Sequence, residues 1–166
     1  YGFNKSHSIA YSLLAYRMAW YKHYFPGAFY TALLNSDQEN AEKWVYDAAL
    51  HGVSIVSPHI NKSGVYWTWD QTNDVIYAPL SVVKYFGEKG ATEVIRIRDE
   101  EFGGEFKNIL ALTTIPKRVL NKRSKRLLYY ATAFRGVPGN ISDLIEEYST
   151  LPILSDADAQ IESFGF

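Results

Sequence analysis

The sequence predicts a mainly α fold of short helices, two pairs of them joined by tight hairpins, with one small β-hairpin or ribbon. Three observations carry this. Apolar residues recur three and four apart in several short segments, and glycine or proline closes most of those segments. One polar turn, Asp70-Gln-Thr-Asn-Asp74, separates two β-branched and aromatic runs.

The first helix starts in the polar cluster at residues 4–8. Ser6 or Ser8 can cap it, its apolar stripe is Ile9, Leu13, Tyr16, Trp20 and Tyr24, and Pro26 closes it. Uncapped amides at its start lie beside Lys5 and His7. On the residues alone these make either a small anion site suited to phosphate or an ordinary solvated helix start.

Residues 27–35 read as a second short helix with Phe29, Ala32 and Leu33 inward. Ser36-Asp-Gln-Glu39 has the form of a capping box for a third helix over 37–51, with Gly52 at C′ and Trp44, Val45 and Ala48 on its inner face. Residues 53–56 are short and β-branched, which suits an edge strand. The runs 65–69 and 75–77 flank the polar turn as a hairpin, with Val65, Trp67 and Trp69 on one side. Those aromatics suit burial against helices better than stacking on bases.

From Pro79 the spacing is helical again. Leu80, Val82 and Val83 precede Tyr85-Phe-Gly87 and Val94, Ile95 and Ile97 follow, which implies two short helices around a glycine-containing hairpin. Gly103 and Gly104 interrupt the pattern, and residues 106–112 form the next helical stretch. Pro116 suits a first turn, and Asn121 or Ser124 can cap a helix carrying Leu127, Leu128, Ala131 and Phe134. Gly136, Pro138 and Gly139 mark a domain edge, Ser142 can cap a short acidic helix through Tyr148, and residues 149–159 read as a linker.

At 166 residues, 47% hydrophobic and 16% aromatic, the chain can build one core or two small ones. No run of about 18 apolar residues offers a transmembrane helix, and no signal-peptide pattern opens the sequence. The absence of cysteine excludes disulfides and thiolate metal sites and fits a reducing cytoplasm. His7, His23, His51 and His59 lack paired ligand spacing, so no metal is expected on this chain. A helix signal almost directly after Tyr1 is expected of a segment or a trimmed product of a larger polypeptide.

The net charge of −1 conceals a strong asymmetry: residues 84–126 carry eleven basic and six acidic side chains, whereas residues 127–166 carry one and six. Within the basic stretch, residues 117–126 hold six cations, Lys117, Arg118, Lys122, Arg123, Lys125 and Arg126, and no acid. A solvated helix face normally intersperses acids, so this run suits a phosphate backbone.

Taken together, several stretches resemble the bacterial replicative DNA polymerase III alpha subunits, the C-family polymerases. Tyr1-Gly-Phe-Asn-Lys-Ser-His-Ser-Ile-Ala-Tyr11 is similar to their fingers motif. The similarity continues in order through Tyr21-Lys-His-Tyr-Phe-Pro26, the crossing from Gly52 to Ser63, the stretch from Tyr77 to Lys84 with Gly87, then Gly104 with Phe106, Val119-Leu-Asn-Lys-Arg123 and Ala133-Phe134.

The resemblance implies that residues 1–36 end the polymerase fingers, with Asn4, Lys5, Ser6 and His7 facing an incoming nucleoside triphosphate. It implies that residues 37–135 form a helix-hairpin-helix module with a small β-ribbon that holds duplex primer-template DNA without reading bases. The residues implicated are Gly87, Lys89, Lys117, Arg118, Asn121, Lys122, Arg123, Lys125 and Arg126. Residues 136–166 would comprise an acidic helix, a linker and a tail whose Gln160, Ile161, Glu162, Ser163 and Phe164 resemble a sliding-clamp-binding motif. The metal-binding carboxylates of such enzymes, with their Mg2+, sit in a palm absent here, so the palm is expected in the same or another chain and no cofactor on this one.

Tyr85 departs from the family pattern. The family's first hairpin has glycine there, and a side chain crowds close backbone approach, so the second site, around Asn121, Lys122 and Arg123, is the better supported. Such drift suits a divergent member, bacterial or virus-encoded. The alternative reading is a stand-alone DNA-binding or clamp-binding accessory protein without polymerase activity, and a plainer one is a helical interaction domain that binds no DNA.

Overall fold

The computed structural model describes residues 2, 4–146, 148–155 and 158–159, and their contacts divide them into two compact units. One comprises residues 1–55 with 69–76, the other residues 56–68 with 77–166.

Three helices build the first unit: α1 (Lys5–Tyr24), α2 (Pro26–Ser36) and α3 (Ala41–Leu50). The cap of α1 is Asn4 rather than Ser6 or Ser8; its side-chain oxygen accepts the His7 amide at 2.8 Å and the Ser6 hydroxyl at 2.9 Å. Asn is as good an N-cap as Ser, and starting one residue before Lys5 puts His7 at the third helical position, where the cap reaches.

The stripe expected along α1 does not face a core. None of its residues is buried, and Tyr11, Leu14, Met18 and Tyr21 add apolar surface between Ile9, Leu13, Tyr16, Trp20 and Tyr24, so the helix is apolar around most of its circumference.

The inner face of α2 is Gly27, Tyr30 and Leu34. Phe29 and Leu33 are only half-buried and Ala32 is exposed, because the Trp69 indole takes the Gly27 face: a Cβ at Gly27 would meet that ring at 2.4 Å. The capping box at Ser36 does not form. Ser36 donates back to the Leu33 carbonyl at 3.1 Å, and a short 3-10 turn (Gln38–Asn40) delays α3, tied by Asp37 accepting from Asn40 and from the Trp44 indole at 2.9 Å. At the other end the expectation holds, since Gly52 has φ +75° and Val53 N–H returns to the Ala48 carbonyl.

Asp47 joins the three helices. It accepts Lys22 Nζ at 2.8 Å and the Tyr30 hydroxyl at 2.6 Å, and those two donors hold its carboxyl below the usual carboxylate range.

Strands β1 (Ser54–Val56), β2 (Thr68–Asp70) and β3 (Val75–Tyr77) form one small sheet in the order β1-β3-β2. The hairpin turn closes as its residues suggest: Asp70 Oδ1 accepts the amides of Thr72 and Asn73.

The second unit folds around a crossing segment at residues 57–63. Its carbonyls are met by side chains in place of a ladder. The Arg135 guanidinium donates to the carbonyls of Ser57 and Pro58, and that of Arg98 to Ile60 and Ser63. Asn61 exchanges two hydrogen bonds with the Phe106 backbone, at 2.9 and 3.0 Å. Ser63, fully buried, donates to Ala78 and accepts from His59 N–H.

Around this crossing pack a 3-10 turn (Leu80–Val82), α4 (Gly87–Glu101), a 3-10 stretch (Ile109–Thr114) and α5 (Lys122–Tyr130). Buried Val94, Ile97, Phe106, Leu112, Leu127 and Leu128 are among the side chains of the shared core. The helix expected over 106–112 is thus a 3-10 stretch starting later, with Asn108 as its cap. Residues 140–145 are not a peripheral acidic helix: they form a 3-10 turn (Ile141–Asp143) capped by Asn140 instead of Ser142, with Leu144 and Ile145 buried in this core.

His59 in the crossing is held neutral. Burial, then the positive charges of Arg135 and Lys62, push its pKa down to about 4 from 6.5. Its Nδ1 accepts the Asn61 amide at 3.0 Å, which requires the unprotonated nitrogen. A depressed histidine binds fewer protons folded than unfolded, so stability is complete above about pH 6.5 and falls between there and about pH 4. We expect thermal melts to lose about 2 kcal/mol over that window, allowing for partial exposure, and His59→Gln to flatten that loss; an equally steep fall in the variant would contradict it.

Candidate nucleic-acid interface

The basic run gathers at the entrance of α5. Asn121 caps that helix through the Ser124 amide at 2.9 Å, and the first turn contains no acid. Ser124, Leu127 and Leu128 are buried, which fixes the rotation of α5 and leaves Lys122 and Arg123 exposed. A shallow pocket of about 300 Å3 is lined by Lys117, Leu120, Asn121, Lys122, Arg123, Lys125 and Glu146.

Lys125 is half-buried, and burial, with a smaller push from Lys117, lowers its pKa against the opposing pull of Glu146. Arg118 and Arg126 do not line this pocket. The surrounding cations divide by role. Arg96 is spent on Glu93 and Glu100 along α4 and Arg98 faces the crossing; residues 84–116 carry five basic and six acidic side chains, so the surplus positive charge of residues 84–126 is concentrated at residues 117–126.

Glu146 is the residue that sequence reasoning misses. It forms an ion pair with Lys122 at 2.6 Å, both side chains more than 60% exposed, and Lys122 holds the Glu146 carboxyl low. Its oxygens occupy the place beside Lys122 that an anionic ligand would take. The −5 balance of the last forty residues gives no position for such an acid.

Gly87 and Lys89 start α4, where no side chain caps the helix and Gly87 adopts φ +64°. Tyr85, two residues earlier, has φ +61°, a left-handed conformation that costs a residue with a Cβ about 1–2 kcal/mol. The residue is 61% exposed, and the Arg123 guanidinium carbon lies 3.4 Å from its ring centroid. That contact ties the α4 hairpin to the α5 entrance.

At the start of α1, Asn4 and Ser6 are engaged in the cap, while Lys5 and His7 are exposed and the His7 ring packs against Tyr11 at 4.5 Å. Residues Gln160, Ile161, Glu162, Ser163 and Phe164 lie outside the described residues. Among the described residues no cluster of His, Cys, Asp or Glu could hold a metal, and no helix is long and apolar enough to cross a membrane.

Comparison with known proteins gives this geometry a setting. The family model of a helix-hairpin-helix motif matches residues 52–144. The DNA polymerase III subunit alpha of Thermus aquaticus is 36% identical over 137 residues, covering 80% of this chain and 11% of that protein. That of Haemophilus influenzae is 30% identical over 169 residues, 99% of this chain and 14% of its own length. That of Pseudomonas aeruginosa is 32% identical over 161 residues, 95% and 14%. The chain thus spans between about a tenth and a seventh of these relatives.

Proposed function

The chain belongs to the helix-hairpin-helix family, and on that premise we propose that it is the duplex-holding segment of a replicative DNA polymerase of the alpha-subunit type. The observation that carries this is the α5 entrance, where Lys117, Lys122, Arg123 and Lys125 line one pocket above a helix whose opposite face is locked into the core. Cations that meet phosphates carry no sequence information, so this reading makes binding sequence-independent and salt-sensitive. In this reading Lys89, Arg118 and Arg126 add charge for the same duplex, and Gly87 offers its backbone amide.

Residues 1–36 contribute on the nucleotide side. Lys5 and His7 contact the triphosphate of an incoming dNTP, while Asn4 and Ser6 shape the helix start that presents them. The palm, with its Mg2+, belongs to the same or another chain, and the apolar circumference of α1 suits cover by that remainder. This chain alone therefore does not extend primers and binds no cofactor of its own. Gln160 to Phe164 supply the tether to a sliding clamp, and the working place is the bacterial cytoplasm, at the nucleoid.

The test is fluorescence anisotropy with two ~20-bp duplexes of unrelated sequence over a salt series. Equal affinities and a log-log salt slope of about −3 or steeper are expected. Strong sequence preference, or no dependence on salt, would reject the reading. Deleting residues 160–166 is expected to abolish clamp binding and leave duplex affinity within about twofold.

A further inference from the structure

We propose that Tyr85 and Arg123 act as one phosphate-binding element joining the two hairpins, the tyrosine ring holding the guanidinium flat so that its N–H edge meets a DNA phosphodiester oxygen. The proposal rests on the duplex-binding reading and adds a role for Tyr85, whose left-handed backbone is one that favours glycine.

Three observations point the same way. First, a centroid distance of 3.4 Å brings two planar groups into van der Waals contact, which they reach only face to face. A stacked guanidinium uses its face on the ring and keeps its in-plane donors for a ligand, and it surrenders less rotamer freedom when phosphate binds. Second, Tyr85 tolerates a left-handed backbone yet is an exposed residue, so core packing does not account for its side chain. Third, the surroundings favour an anion. Lys84 Nζ lies 5.6 Å from the same ring, and Lys122 adjoins Arg123 at the exposed start of α5. Among the described residues, Glu88 is engaged by the Tyr66 hydroxyl at 3.0 Å, and Glu146 by Lys122.

A coupling experiment on the full chain tests this, using a ~20-bp duplex at low salt with Tyr85→Gly, Arg123→Ala, the double variant and Arg123→Lys. Arg123→Ala is expected to weaken binding about tenfold and Tyr85→Gly about threefold or more, with the double variant no weaker than Arg123→Ala within about twofold. Arg123→Lys keeps the charge but loses the flat stack, and is expected to lie nearer Arg123→Ala than the parent. Tyr85→Gly relieves the left-handed backbone, so its melting temperature should equal or exceed the parent's, whereas a purely structural tyrosine would melt lower.

Additive losses, parental affinity in Arg123→Lys, or a lower melting temperature for Tyr85→Gly would overturn the proposal while leaving duplex binding standing. Absence of salt-dependent binding by the parent chain would overturn both.

Discussion

Replacing Lys122 and Arg123 together by glutamate is expected to weaken duplex binding by about a hundredfold at ~0.1 M salt and to reduce the magnitude of the salt slope by about two. Each cation at the α5 entrance displaces roughly one condensed counterion when it meets a phosphate, and reversing its sign adds repulsion to that loss. The change also places a carboxylate at position 122 opposite Glu146 and removes the guanidinium from Tyr85. Folding should survive, because both side chains are exposed and the buried face of α5 is untouched. Arg96→Ala is the control. That guanidinium is already satisfied by Glu93 and Glu100, so its loss should change affinity less than about twofold. Equal weakening by both variants, measured by anisotropy, would mean that net charge rather than this entrance governs binding.

The second large effect concerns stability. Phe106→Ala is expected to cost about 4 kcal/mol and to lower the melting temperature by roughly 10 °C. The ring is fully buried beside Phe102, at 5.1 Å between centroids, in the core shared by α4 and α5. Its backbone cannot move to fill the void, since Asn61 holds it through both an amide and a carbonyl. A calorimetric shift below about 1 kcal/mol would show that this core can collapse around the gap.

Much of this arrangement is legible in the sequence, for local reasons. The α4 and α5 stripes, the Asx turn at Asp70, the helix stop at Gly52 and the break at Gly103 and Gly104 all follow from spacing and turn chemistry. The cations of residues 117–126 form a continuous run, so their common exposure is readable as well. The misreadings were decided by geometry over longer range or by competition between equivalent neighbours. Asn4 and Asn140 cap where Ser6, Ser8 and Ser142 offer the same chemistry, because the choice depends on where the following turn packs. Ala32 faces outward because Trp69, far along the chain, occupies the Gly27 face. Glu146 reaches Lys122 across 24 positions, and no periodicity encodes such a contact. In the sequence Tyr85 reads as an obstruction, whereas in the fold Arg123 lies on its ring, 38 positions further along the chain.

The lodging of the Trp69 indole on Gly27 has an optical consequence. Of the four tryptophans, Trp20, Trp44 and Trp69 fall within the first unit and Trp67 alone within the second. Intrinsic emission excited at the red edge therefore follows the loosening of α1 to α3 and their sheet residues, and remains largely blind to the core around Phe106. For that second unit Trp67 and the tyrosines are the native chromophores, among them Tyr129 and Tyr148, whose rings meet edge-on at 5.4 Å.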